Sequence, residues 1–156
     1  MAERTLLKLY RKAARFPGGR KLFSLAVTRR APYFASISPV IEELRPNYCE
    51  VRIAKQRAVQ NHIGTVHVIA ICNALEMAMG VMAETSIPPH LRWIPKGMEV
   101  RYAAKASSDV RAIAELAPEA WLSGPDVAVP VRAVRADGTV VVEGTIRLWV
   151  TEKPAS

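Results

Sequence analysis

From Thr65 to Ala83 nearly every side chain is apolar, and no other part of the sequence limits the possible folds as sharply. The stretch barely reaches the length of a bilayer span, and Asn73 and Glu76 at its centre would be costly in lipid. It is predicted to be a helix buried all round inside a protein core, since an amphipathic surface helix would show a polar stripe. Ala70, Ala74 and Ala78 form a row of small residues at i, i+4 spacing, on which another element can pack closely. Pro88-Pro89 closes the segment.

A helix of this kind needs a cover, and the flanking sequence supplies strands. Residues 39–45 and 48–56 read as two strands joined by Arg45-Pro46-Asn47, with Cys49, Val51 and Ile53 alternating against Glu50, Arg52 and Lys55. Beyond the helix, Met98, Val100, Tyr102 and Ala104 alternate with charged residues, and a further strand follows at 110–116. Val127, Val129 and Val131 then lead through Asp137-Gly138, a two-residue hairpin signal, into a strand over 140–150. Before all of these, residues 3–16 and 20–30 show helical spacing and are parted by Pro17-Gly18-Gly19. The predicted class is α+β, with an antiparallel sheet of about six strands wrapped around the helix 65–83. The expected division is an N-terminal helical extension over 1–34 and the sheet domain over 35–152.

The 156 residues suit one sheet domain with a core of its own. Cys49 and Cys72 are too few for a disulfide framework, and their apolar surroundings point to reduced, buried thiols and a cytoplasmic location. No apolar run and cleavage site follow the basic N-terminus as in a secretory signal, and no stable membrane insertion is expected. His62 and His67 lack a third ligand nearby, so no metal is expected, and no glycine-rich nucleotide motif or GxSxG elbow occurs. His90 reads as a loop residue, and Trp93, Trp121 and Trp149 as core or interface. Lys and Arg number 22 against 14 Asp and Glu, a net charge of +8 that invites nucleic acid, anionic lipid or a phosphate-bearing ligand.

Glu76 is the chemical anomaly. A carboxylate amid apolar neighbours must be paired, protonated or turned toward a cavity, and salt bridging and function are both open on this ground alone. The loop ahead of the helix adds weight to function. Asn61, Gly64 and His67 precede Glu76 by 15, 12 and 9 positions, and Gly64 permits a tight turn. The helix start at His67-Val68 offers unpaired N–H groups that can stabilise an oxyanion. An amide, an oxyanion-binding helix start and a carboxylate are the parts needed to hydrolyse a thioester.

The segment Asn61-His62-Ile63-Gly64-Thr65-Val66-His67, with Glu76 nine positions after His67, resembles the active-site segment of hotdog-fold acyl-CoA thioesterases. Within that superfamily it looks most like the phenylacetyl-CoA and hydroxybenzoyl-CoA thioesterases, and it is also similar to a thioesterase-like branch of undefined activity. The resemblance covers about residues 35–151 and implies a long helix wrapped by an antiparallel sheet. It implies Glu76 as general base or nucleophile, Asn61 as the orienting amide, the Val68 N–H as oxyanion donor and His67 as a positioning residue. Two departures stand out. Val68 and Ile69 replace the two glycines usual after the histidine, and Gly80 replaces a Ser or Thr one turn after the carboxylate. No cofactor is implied.

Val68 and Glu76 lie eight residues apart, about 12 Å along a helix axis, too far to act on one thioester within one chain. Two such helices packed antiparallel across a two-fold axis would bring one helix start near the partner's carboxylate, so a homodimer or a dimer of dimers is expected. The partner molecule is then an acyl-CoA or an acyl-carrier protein. The basic charge is assigned to coenzyme A phosphates rather than nucleic acid, with Gly64, Arg57, Arg101 and Lys105 as substrate-binding candidates. A non-catalytic acyl-CoA or acyl-carrier-protein binder is the alternative, and a basic membrane or nucleic-acid protein a third.

Overall fold

A computed structural model describes residues 4–154. Helices α1 (Thr5–Ala13) and α2 (Gly19–Arg30) precede strands β1 (Val40–Arg45) and β2 (Tyr48–Ile53). The long helix α3 (Val68–Ser86) follows, and then β3 (Leu91–Tyr102), β4 (Val110–Glu115), β5 (Asp126–Arg135) and β6 (Val140–Glu152). The six strands form one antiparallel sheet in the order β1-β2-β4-β5-β6-β3. The order of elements is the one expected from the sequence, and the Asp137-Gly138 hairpin joins β5 to β6 with Gly138 at a φ of 85°. Strand β3 begins at Leu91, seven residues before the alternation starts, because Pro95 and the register shift between Pro95 and Gly97 hide its first half.

Helix α3 starts three residues later than its apolar run. Val66 donates to the Ala106 carbonyl (2.9 Å) and His67 to that of Val59 (2.7 Å), so these backbones are held extended. On the inner face of α3, Ala74, Leu75, Ala78, Met79 and Met82 are fully buried. Ala74 and Ala78 thus do what their spacing predicts. The expectation of burial all round is corrected, however. Ile69 is 55% exposed, Glu76 is exposed, and Cys72, Asn73 and Gly80 are half-buried. These residues recur every three or four positions, the mark of one helix face. A single curved sheet covers only one side of a helix, and the other side of α3 looks outward. By length and composition α3 could cross a membrane, yet most of it is buried within the fold.

The two edges of the sheet are treated differently. At β1 the N-terminal helices close the edge: the Ile41 N–H donates to the Ser24 hydroxyl (2.8 Å) and the Tyr10 hydroxyl donates to the Glu42 carbonyl (2.7 Å). The Tyr10 ring stands edge-on to Phe23, with centroids 5.3 Å apart. Gly19 makes this hairpin of helices possible, since a Cβ there would lie 1.9 Å from the Ala13 carbonyl oxygen. Glu42 binds both Arg20 (3.2 Å) and Arg52 (2.8 Å), tying α2 to the sheet. Strand β3 forms the other edge, paired with β6 alone, and carries Ile94 and Tyr102 at 60% and 62% exposure. Of the cysteines, Cys49 is fully buried as expected, whereas Cys72 is only half-buried on the outward face of α3.

Candidate active site

The Asn61–Thr65 loop is organised by one side chain. The Asn61 Oδ1 accepts the N–H groups of Ile63 (3.2 Å) and Thr65 (3.1 Å), and its Nδ2 donates to the Thr65 hydroxyl (2.8 Å). The Asn61 N–H closes the loop on the Thr65 carbonyl at 2.9 Å. Gly64 sits at a φ of 74°, a left-handed conformation that costs glycine nothing and most other residues a good deal. Asparagine favours such turns because its side chain can replace a backbone acceptor.

The loop delivers His67 to the start of α3, where its Nδ1 accepts the Ile69 N–H at 3.1 Å. His67 is thus a helix cap. The Val68 N–H donates to no acceptor among the described residues. It stands at the positive end of a 19-residue helix, where a developing negative charge is favoured.

Asn61, His67, Val68, Ile71, Tyr102 and Lys105 line a cleft of about 480 Å³. Of the residues singled out in the sequence, the structure therefore gathers Asn61, His67, Val68 and Lys105, with Gly64 shaping the loop beside them. Arg101 lies on the β3 edge and is engaged by Glu143. Arg57 is exposed in the short turn Arg57–Val59 and does not line the cleft. Glu76 does not line it either. It projects from the outward face of α3 and has no hydrogen-bonding or ionic partner among the described residues. The picture of Glu76 as a carboxylate sunk in the core is thus corrected. Gly80, one turn further on, receives the ring of Trp93 from β3, whose Cη2 lies 3.4 Å from where a Cβ would stand.

Sequence reasoning missed part of the cleft wall. Tyr102 was counted among the apolar side of an alternating strand, but β3 ends there and its ring is 62% exposed at the cleft. Val141 and Val142 of β6 also reach it, and only the pairing of Tyr102 with Val142 across β3 and β6 reveals this. No group of three or more His, Cys, Asp or Glu side chains could hold a metal among the described residues.

A long helix against a six-stranded antiparallel sheet, with a polar loop at the helix start, defines a hotdog fold, and comparison with known proteins agrees. The chain belongs to the family described as Domain of unknown function (DUF4442), which matches residues 19–150 and so takes in α2 as well as the sheet. It is similar to the structural-genomics target APC5556, with 43% identity over 96% of this chain and 100% of the other and a TM-score of 0.84. A Pseudomonas aeruginosa protein of unknown function, described as a probable thioesterase, shares the fold at 22% identity. There the TM-score is 0.72, and 81% of this chain and 91% of the other are covered. A thioesterase from Haemophilus influenzae shares it at 9% identity, with a TM-score of 0.67 over 79% of this chain and 85% of the other. None of the curated proteins compared with the chain matches it.

Proposed function

We propose that this protein is a thioester hydrolase acting on an acyl-CoA, as a homodimer or a dimer of dimers, with a site built from two chains. The observation that carries the reading is the Val68 N–H, without an acceptor among the described residues, at the start of α3 in a residue that lines a cleft beside the Asn61 loop. The reading puts the thioester carbonyl oxygen on that N–H. It takes the base from the second chain, because the chain's own Glu76 lies about 12 Å further along the same helix. The Glu76 carboxylate removes a proton from water as the water oxygen bonds to the thioester carbon, and the negative charge settles on the carbonyl oxygen at Val68. Collapse of that intermediate breaks the carbon–sulfur bond, and the departing thiolate takes the proton from Glu76. His67 holds the helix start in place. Lys105 at the cleft, with Arg57 and Arg101 further out, is available to the phosphates of the carrier. An acyl-carrier protein is the other carrier the reading admits, and a cytoplasmic location accords with the reduced cysteines.

One observation favours the alternative of a non-catalytic acyl-CoA or acyl-carrier-protein binder. Both lone pairs of the Asn61 carbonyl are used within its own loop, leaving one Nδ2 hydrogen for a ligand. A panel of acyl-CoAs followed by release of free thiol decides between the two. The hydrolase reading expects turnover that falls about 100-fold or more in Glu76→Gln, with the fold intact. Tight binding with no turnover on any substrate establishes the binder instead.

A further inference from the structure

The positive charge of this protein is not spread over it. Residues 1–34 hold nine Lys and Arg against one Glu, while residues 35–156 hold thirteen of each sign. The whole net charge of +8 therefore belongs to the N-terminal helices, and the sheet domain is neutral. From Thr5 to Ile41 there is no acidic residue. Lys8, Lys12, Arg15, Lys21, Arg29 and Arg30 form no ion pair among the described residues.

The same two helices expose large apolar side chains. Leu9 (53%), Phe16 (63%), Leu22 (69%) and Leu25 (47%) are solvent-facing, and Tyr33 follows at 74%. On α2 the buried residues Gly19, Phe23, Ser24 and Thr28 define the inner side. Leu22, Leu25 and Arg29, spaced by three and four, lie on the opposite one, with Lys21 flanking. On α1 the buried side is Leu7 and Tyr10, and Lys8 and Lys12 point away from it. Leu9 lies on the flank of α1 nearest Ala13, the residue packed against Gly19 of α2, and Phe16 stands in the turn between the helices. Exposed apolar and cationic side chains thus intermingle over the two helices and the turn between them.

We propose that the α1–α2 hairpin is a docking surface for an anionic lipid bilayer, on which the protein lies peripherally. A polar helix face that mixes Lys and Arg with Leu and Phe suits the headgroup boundary, where apolar side chains enter and cations meet phosphate. A second copy of the chain does not suit this face, because eight net charges would meet eight of the same sign. A duplex offers phosphates to the cations but nothing apolar to Leu22 and Leu25. The docking does not depend on the hydrolase reading, since it involves neither the cleft nor Glu76.

The test is co-sedimentation of the full chain with vesicles of phosphatidylcholine and phosphatidylglycerol in equal parts, against phosphatidylcholine alone. Binding is expected to the mixed vesicles and not to the neutral ones. Each cation removed should weaken partitioning about fivefold, so Lys21→Glu with Arg29→Glu should lower it by more than about 25-fold. Leu22→Ser with Leu25→Ser, which leaves the charge unaltered, should cost about tenfold or more. All four side chains face outward, and circular dichroism of each variant verifies the fold. The proposal is overturned if wild-type protein stays in the supernatant, binds neutral vesicles equally, or is insensitive to the charge reversal. Retention on duplex DNA with no effect of the leucine changes on either partner would assign the surface to nucleic acid instead.

Discussion

The two edges of the sheet present opposite solutions to the same problem. An edge strand exposes unpaired N–H and C=O groups and invites another strand. At β1 the invitation is withdrawn, for Ser24 and Tyr10 occupy the outward backbone groups of Ile41 and Glu42. At β3 a twelve-residue strand is left with one partner among the described residues, and it exposes Ile94 and Tyr102. On the reading proposed above, a second chain joins at this open edge. On that reading the N-terminal helices, which line no part of the cleft, keep a second chain from β1.

The largest effect should come from the open edge. Ile94→Lys combined with Tyr102→Lys sets like charges against one another across a two-fold axis, which typically costs several kcal/mol. Sedimentation equilibrium should show self-association weakened about 100-fold or more, and unaltered association would place the interface elsewhere. The closed edge should respond through stability instead. Ser24→Ala leaves the buried Ile41 N–H without an acceptor and should cost about 1–3 kcal/mol in denaturant unfolding, with self-association unchanged.

Beside that closed edge, Tyr48 of β2 is held by burial and by Glu50, whose carboxylate accepts its hydroxyl at 3.1 Å, and its pKa is pushed up from 10.0 to about 12. The folded chain therefore keeps a proton that the unfolded chain loses above pH 10. Stability should be unaffected by this group below pH 10 and should fall as pH rises from 10 toward about 12, by at most about 3 kcal/mol. Burial also raises the Cys49 thiol and acts in the same direction. Tyr48→Phe should flatten the alkaline limb of a thermal-melt profile, and an unchanged limb would locate its cause in other groups. Smallest of all, Tyr10→Phe removes one hydrogen bond to the Glu42 carbonyl and should cost about 1 kcal/mol, measured in the same unfolding experiment.

How much of this was legible in the sequence depends on whether the signal was local. The long apolar run, the Asp137-Gly138 turn and the alternating strands speak for themselves within a few residues, and the order of elements followed from them. Part of the loop was legible too, since Asn61 and Gly64 are turn residues by type, whereas the capping of α3 by His67 was not. The exposure of Glu76 was not. An apolar helix face that looks outward from one chain has the same composition as one packed inward, and only the extent of the sheet separates them. Tyr102 was missed for a related reason, because its place at the cleft depends on where β3 ends against β6. The sealing of β1 by Ser24 and Tyr10 is a contact across 17 and 32 positions, which no local pattern reports.

The central claim is that a helix start in one chain and a carboxylate from another make one thioester site. It is tested most directly by mixing two inactive proteins, Glu76→Gln and a chain disabled at the cleft by Asn61→Ala, under conditions where subunits exchange. A heterodimer then holds one site with both natural groups, and random exchange should restore about a quarter of wild-type acyl-CoA hydrolysis. Heterodimers that form, as shown by mass spectrometry, yet remain as inactive as either parent would contradict the shared site.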